Sequence, residues 1–312
     1  KPGVCMSSPM DLHPLLVFDF DGVLVDGMPE YWWSARRAAL ALRPQQVLPE
    51  QAPPEFSALR PLIHKGWEMV LAALELSRPD LNLNAYLNAY ESCTAAALKR
   101  WQLEPAALQH SLESLRSAAI HDDRDRWLAL HQPYPGVVER LRQLAAEGSD
   151  WLVLTTKGGH FASALLQAYG LEPRAVYGHE QGSKPEVLLR LSAEQPQPLW
   201  FVEDRRPTLE TVRRTPGLEA VRCFLVSWGY LAPGDADNLP AGLALLSRIA
   251  SASPCRTGPE PHPGNSHQQT LTYTCTTGQV ERLAPWVALL PVRSRRMAPV
   301  PPVPLLRGLL HR

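Results

Sequence analysis

Lysine is scarce in this chain. Only Lys1, Lys65, Lys99, Lys157 and Lys184 stand against 26 Arg in 312 residues. Any lysine at a chemically useful position therefore attracts notice. Cysteine is equally thin: Cys5, Cys93, Cys223, Cys255 and Cys275 are odd in number, scattered, and form no CxxC. That excludes a disulfide framework and a cysteine zinc site and fits a reducing compartment, so a cytoplasmic protein is expected. No apolar run reaches the length of a membrane-spanning helix, and no membrane partner is expected. The opening KPGVCMSSPMDLHP has one lysine and no apolar core, unlike a secretory signal, and residues 1–13 are expected to be a loose leader. Net charge is zero overall but uneven: residues 251–312 carry seven Arg against Glu260 and Glu281. The remaining body is thus mildly acidic, which excludes a nucleic-acid partner held by phosphate contacts. The pattern sets no oligomeric state.

What is present is a globular chain, 45% apolar, long enough for two domains. LLVFD (15–19) reads as a strand. A long helical block follows, with apolar residues recurring at three and four over 29–42, 55–77, 83–101 and 105–120. Trp32, Trp33, Trp67 and Trp101 read as its core, and HDDRDRW (121–127) as a charged loop leaving it. Strands and helices then alternate: helix 136–148, strand 151–155, helix 159–170, strand 175–178, helix 184–194, strand 198–204, helix 207–214, strand 221–229 and helix 241–251. Such alternation predicts an α/β fold, a Rossmann-like doubly wound parallel sheet of about five strands. The catalytic core is expected over 14–28 and 132–251, with residues 29–131 inserted as an all-helical cap. Residues 252–312, rich in Pro, Ser, Thr and Arg, are expected to be a disordered tail, in which WVALLPV (286–292) is the one segment suited to docking.

Ligands of parallel sheets bind at the carboxyl ends of the strands. Asp19 ends the first strand here and Asp21 follows two residues later. Thr155, Thr156 and Lys157 end the second, Lys184 opens a helix before Pro185, and Glu203–Asp204 end the fourth. Crowded carboxylates with oxygen-only ligands call for a hard cation such as Mg²⁺, which readily shares a phosphate oxygen.

That series resembles the haloacid dehalogenase-like hydrolase superfamily, in its phosphoglycolate phosphatase and β-phosphoglucomutase branch. VFDFDGVLVD resembles the first motif, LTTK the second, SKP the third and FVED the fourth, and PYPGVVERL (133–141) resembles the lead-in to the second. The resemblance covers residues 14–250. It implies Asp19 as nucleophile, Asp21 as general acid and then base, Thr155 as hydrogen-bond donor to the phosphoryl group, and Lys184 as its neutralising cation. It further implies Mg²⁺ held by Asp19, the Asp21 carbonyl and Asp204, with Glu203 on the metal or one water away. An acid at Asp21 favours a phosphatase over a dehalogenase, because halide leaves unprotonated. A small phosphorylated metabolite is the expected substrate. A phosphomutase, or a non-catalytic regulatory protein on this fold, are the alternatives.

The chain departs from the family pattern at Thr156, where Asn is frequent, and at Arg205–Arg206, where Ser is frequent. Arg205 reads either as a grip on a second anionic group of the substrate or as a surface residue pairing Glu210. Arg60 and His64, four apart, would share a helix face and are candidate substrate contacts with Thr156. Asp26 reads as a turn residue, and Lys157, beside two glycines, as a surface one.

Overall fold

The computed structural model describes residues 13–247; all of the expected leader 1–13 except its last residue, and the tail over 252–312, lie outside them. The centre of the fold is a six-stranded parallel sheet in the order β5-β4-β1-β6-β7-β8. Its strands are β1 (Leu15–Phe18), β4 (Trp151–Leu154), β5 (Val176–Tyr177), β6 (Leu199–Glu203), β7 (Arg222–Val226) and β8 (Leu243–Leu246). Side chains alternate across a strand, and here both sets are apolar. Leu15, Val17, Leu152, Leu154, Leu199, Phe201, Cys223 and Leu225 share one buried cluster. Leu16, Trp151, Val153, Trp200, Val202, Phe224 and Val226 share the cluster on the opposite face. Helices α7 (Val137–Ala146) and α8 (Gly159–Ala168) cover the second face, and α9 (Lys184–Glu194) and α10 (Arg206–Arg214) the first. This is the doubly wound arrangement expected, and the strand order reverses at β1 and β6, where such sheets open a crevice.

The sixth strand is a correction. Residues 241–251 read as a helix, but Leu243–Leu246 pair in parallel with β7, Cys223 opposite Leu243 and Val226 opposite Leu246. A four-residue apolar run does not distinguish helix from strand by periodicity. Gly242, at φ +90°, breaks a helix there, and the free edge of β7 takes the segment.

Between β1 and β4 a two-stranded antiparallel pair, β2 (Val25–Asp26) with β3 (Gln132–Pro133), forms the two crossings into the helical insert. The insert contains α1 (Met28–Leu42), α2 (Pro54–Leu59), α3 (Gly66–Leu76), α4 (Leu83–Asn88), α5 (Tyr90–Trp101) and α6 (Pro105–Leu128). It has its own core, in which Trp32, Phe56, Leu71, Leu74, Leu108 and Leu112 are buried. Trp67 and Trp101 pack against this core at partial burial, whereas Trp33 packs against the sheet cluster instead. The expected helix 55–77 is broken by a 3-10 turn at Arg60–Leu62, where Pro61 interrupts the periodicity. The helix 83–101 is likewise split at Ala89. HDDRDRW is not a loop: α6 runs through it with a kink at Asp123 (φ −156°, ψ 80°), whose carboxylate accepts the Arg126 N–H at 3.0 Å and restarts the helix as a cap. Among the described residues no helix is long and apolar enough to cross a membrane.

A buried ionic contact joins the first and last helices of the insert. Glu30, fully buried at the start of α1, accepts both arms of the Arg116 fork from α6 at 2.7 Å each, and the Ser34 hydroxyl besides. Its carboxyl is held well below the usual range: burial opposes the charge, but Arg116, then Lys157, outweigh it. His131 approaches Glu30 to 3.8 Å, yet burial and the nearby Lys157 push the imidazole down to about 4, so it is neutral at pH 7 and this contact is no ion pair.

Two outcomes follow. Arg116→Ala strands a buried carboxylate and should cost about 3–5 kcal/mol of unfolding free energy, read by urea denaturation. His131 binds its proton less readily folded than unfolded, so its contribution is full above the unfolded pKa and is lost as pH falls toward about 4. Stability of wild type relative to His131→Gln should therefore fall between pH 6.5 and 4 by up to ~1.4 kcal/mol per pH unit. A difference independent of pH would contradict the neutral assignment.

Candidate active site

Asp19 follows β1 directly, and its N–H still donates to Val202 O at 2.9 Å, so the sheet ladder fixes its backbone. β6 brings Glu203 and Asp204 alongside. Suitably placed carboxylate oxygens of Asp19, Glu203 and Asp204 all lie within 4.8 Å of one another, in buried positions. Lys184 reaches this cluster from the first turn of α9, its Nζ 3.0 Å from Asp19 and 2.5 Å from Glu203. The sequence around it explains the aim. Ser183 caps α9 and exchanges hydrogen bonds with Glu186, its N–H donating to Glu186 Oε2 at 2.8 Å, while Pro185 fixes the first turn. A lysine there works against the helix dipole; the two carboxylates offset that.

The turn after β1 shapes the rest. Gly22 adopts φ +86°, and a Cβ at Gly22 would meet Asp204 Oδ2 at 1.9 Å. One at Gly229 would meet Asp204 Cβ at 2.3 Å. Both glycines are therefore the space Asp204 occupies. Tyr230 N donates to Asp204 Oδ2 at 2.8 Å and holds the carboxylate in that space.

Three buried carboxylates against one ammonium leave negative charge uncompensated. Burial, then Glu203, push the Asp19 carboxyl up to about 7 despite Lys184. Burial likewise raises Glu203 and Asp204. Lys184 is raised instead, because Asp19 and Glu203 outweigh the burial that opposes its charge. Asp19 Oδ1 is buried without a properly directed hydrogen bond. An all-oxygen donor set with excess negative charge fits a hard divalent cation. Glu203 is the most committed of the three, with Oε2 on Lys184 and Oε1 accepting the Arg205 N–H at 3.1 Å.

Asp21 stands apart from this cluster. Its carboxylate lines a cleft beneath the insert, with Tyr31, Arg60, His64, Lys65, Thr156 and Lys157. The structure brings Arg60 and His64 to this cleft, though not through a shared helix face: Arg60 opens the 3-10 turn and His64 follows it. Arg60 lies between two rings, 4.8 Å from the centroid of Tyr31 and 4.2 Å from that of Tyr230. Burial and the cations Arg205 and Lys184 push His64 down to about 4, so it enters the cleft neutral. An adjoining open cleft is lined by His64, Thr155, Thr156, Lys184, Arg205 and Thr208. Arg205 faces that cleft and approaches Thr208 Oγ1 at 3.4 Å; Glu210 pairs instead with Arg206 at 2.8 Å and Arg214 at 3.5 Å. Thr155 directly follows β4, its N–H bound to Tyr177 O and its hydroxyl accepting the Lys157 N–H at 3.1 Å.

Lys157 corrects the sequence reading. It is 5% exposed, with Nζ 3.4 Å from Asp21 Oδ1 and 3.8 Å from Glu30 Oε2. The flanking glycines suggested exposure, but the loop turns the side chain under α1. Asp26 does more than turn: it accepts the Tyr230 hydroxyl at 2.7 Å and the Met28 N–H at 3.0 Å. Tyr230, Tyr31, Glu30 and Arg116 were not singled out in the sequence. Two of them carried a signal. Arg116 falls in phase with the buried Leu108 and Leu112 at intervals of four, and Glu30 with the buried Ser34 and Ala38. A charge in step with a buried stripe is a charge with a buried partner.

Comparison with known proteins agrees with this architecture. The chain is 24% identical over 232 residues to the N-acetylmuramic acid 6-phosphate phosphatase of Pseudomonas aeruginosa, covering 70% of this chain and 84% of the relative. It is 23% identical over 234 residues to the Pseudomonas putida enzyme of the same name, covering 72% and 86%. The fold matches a predicted phosphoglycolate phosphatase from Haemophilus somnus at TM-score 0.50 and 17% identity, covering 76% of this chain and 95% of that one. Residues 13–210 match the family model of the haloacid dehalogenase-like hydrolases, and the chain belongs to that family.

Proposed function

We propose that the protein is a phosphatase that hydrolyses a small phosphate monoester through an aspartyl-phosphate at Asp19. The observation that carries this reading is the buried convergence of Asp19, Glu203 and Asp204 on Lys184 at the carboxyl edge of the sheet. The names of the curated relatives support phosphoryl chemistry, and they suggest a sugar phosphate as one substrate to try.

In this reading Asp19 attacks phosphorus as the ester oxygen leaves opposite it. Asp21, in the cleft under the insert, gives that oxygen its proton and later takes one from the hydrolytic water. Thr155 donates its hydroxyl hydrogen to the phosphoryl group. Lys184 keeps its charge throughout and lowers the cost of bringing an anionic ester against the Asp19 carboxylate. Mg²⁺, held by Asp19, the Asp21 carbonyl and Asp204, would supply the remaining positive charge for the transferring phosphoryl group. Glu203, already bound to Lys184 and the Arg205 N–H, anchors the lysine and would influence the metal's site through it. Residues 29–131 serve as the cap, with Arg60, His64, Thr156 and Arg205 on the substrate and the cap keeping bulk water from the reacting atoms.

The test is phosphate release from a panel of small phosphate monoesters, N-acetylmuramic acid 6-phosphate among them, with Mg²⁺ or with chelator. Turnover should need Mg²⁺ and should vanish in folded Asp19→Asn. A variant that keeps a tenth of the wild-type rate, a barrier change of only ~1.4 kcal/mol, would remove Asp19 as nucleophile.

A further inference from the structure

The reaction as described leaves one buried cation without a task. Lys157 sits in the loop directly after Thr155, and its ammonium has no hydrogen bond of good geometry. It is held between two carboxylates, Asp21 at 3.4 Å and Glu30 at 3.8 Å, with the Tyr31 ring centroid 5.2 Å away. Its contacts are looser than those of the neighbouring cations, since Arg116 and Lys184 approach their acids to 2.7 and 2.5 Å. Asp21 Oδ1 also lacks a well-formed hydrogen bond. Glu30, in contrast, is fixed on α1 by the Arg116 fork and the Ser34 hydroxyl. A chain of charge thus runs from the insert, through Lys157, to Asp21.

We propose that Glu30 and Lys157 are positioning residues for Asp21: Glu30 carries the seat of the helical insert to the Lys157 ammonium, and Lys157 turns the Asp21 carboxyl toward the leaving oxygen. The proposal rests on the reading of Asp21 as general acid. The proton balance is simple. The Asp19–phosphorus bond forms and the phosphorus–ester oxygen bond breaks, and the Asp21 proton goes to the departing alkoxide. Water then attacks phosphorus, its proton returns to Asp21, and Asp19 and inorganic phosphate are released. Lys157 keeps its protons in both halves. Because Glu30 and its partner Arg116 belong to α1 and α6, the acid is aimed when those helices are seated on the sheet and loses its guide when they lift.

An acid matters in proportion to the basicity of the leaving group, and this supplies a readout that a merely structural role does not move. The experiment measures kcat and KM of wild type, Lys157→Met, Lys157→Arg and Glu30→Gln on p-nitrophenyl phosphate and on the best alkyl phosphate of the panel. The nitrophenolate leaves without a proton; the alkoxide does not. In Lys157→Met the fall in kcat/KM, which reports the step in which the ester oxygen leaves, should be greater on the alkyl ester than on the aryl ester by about 10–100-fold, within the range that general acids supply. Lys157→Arg should recover most of the difference, and Glu30→Gln should reproduce it. Lys157→Met keeps an unbranched stem without the charge, so it tests the idea even where Glu30→Gln fails to fold. Equal losses of kcat/KM on both esters would overturn the positioning role. Wild type that releases phosphate from neither ester would instead remove the phosphatase reading on which it stands.

Discussion

The contact between Lys184 and the acids at the ends of β1 and β6 is the constraint around which the sheet edge is organised. Three buried carboxylates are costly, and one ammonium, 3.0 Å from Asp19 and 2.5 Å from Glu203, offsets part of that cost. Much of the local sequence serves this contact. Ser183, Pro185 and Glu186 start α9 at the residue where its first turn points into the cluster. Gly22 and Gly229 leave room for Asp204, and the Tyr230 N–H fixes it there. The residual negative charge, which with burial raises the Asp19 carboxyl, is a property of the whole cluster and suits it to a cation.

A second buried charge group lies one layer above. Glu30 and Arg116 join α1 to α6, and both helices leave the sheet domain through the short β2–β3 pair. The covalent links between the two layers are therefore few, and polar contacts supply much of the registration. Tyr230 bonds Asp26 and the Gly27 N–H at the entry to α1, and its ring meets Arg60 from the insert. One residue touches the acid just after β6 through its backbone and the insert through its ring. Contacts of this kind are directional, so a small displacement of the insert is felt at the acids below.

The sheet and its acids were legible from sequence because their signal is local. A continuous apolar run followed by a carboxylate is a strand end, and Asp19, Glu203 and Asp204 each carry it. Lys184 was legible because lysine is rare here and Pro185 marks a helix start. The insert was less so. Its apolar periodicity gave the helices, but Pro61 and Ala89 break two of them, and Asp123 keeps a third going by capping its second half. Leu243–Leu246 joined the sheet because β7 had a free edge, which no window of four residues records.

Lys157 shows where local reasoning stops and why. Gly158 and Gly159 allow the loop to turn either way, and nothing within a few residues says which. The direction is chosen by Glu30, 127 positions away in sequence, and by the Asp21 carboxylate, since a buried ammonium goes where opposite charge awaits it. Glu30 in turn is kept ionised in the interior by Arg116, another 86 positions removed. Each member is unfavourable alone and tolerable only in company. The same dependence that hides such a group from a residue-by-residue reading makes it sensitive to how the two layers are seated, and that sensitivity is what a device for aiming an acid requires.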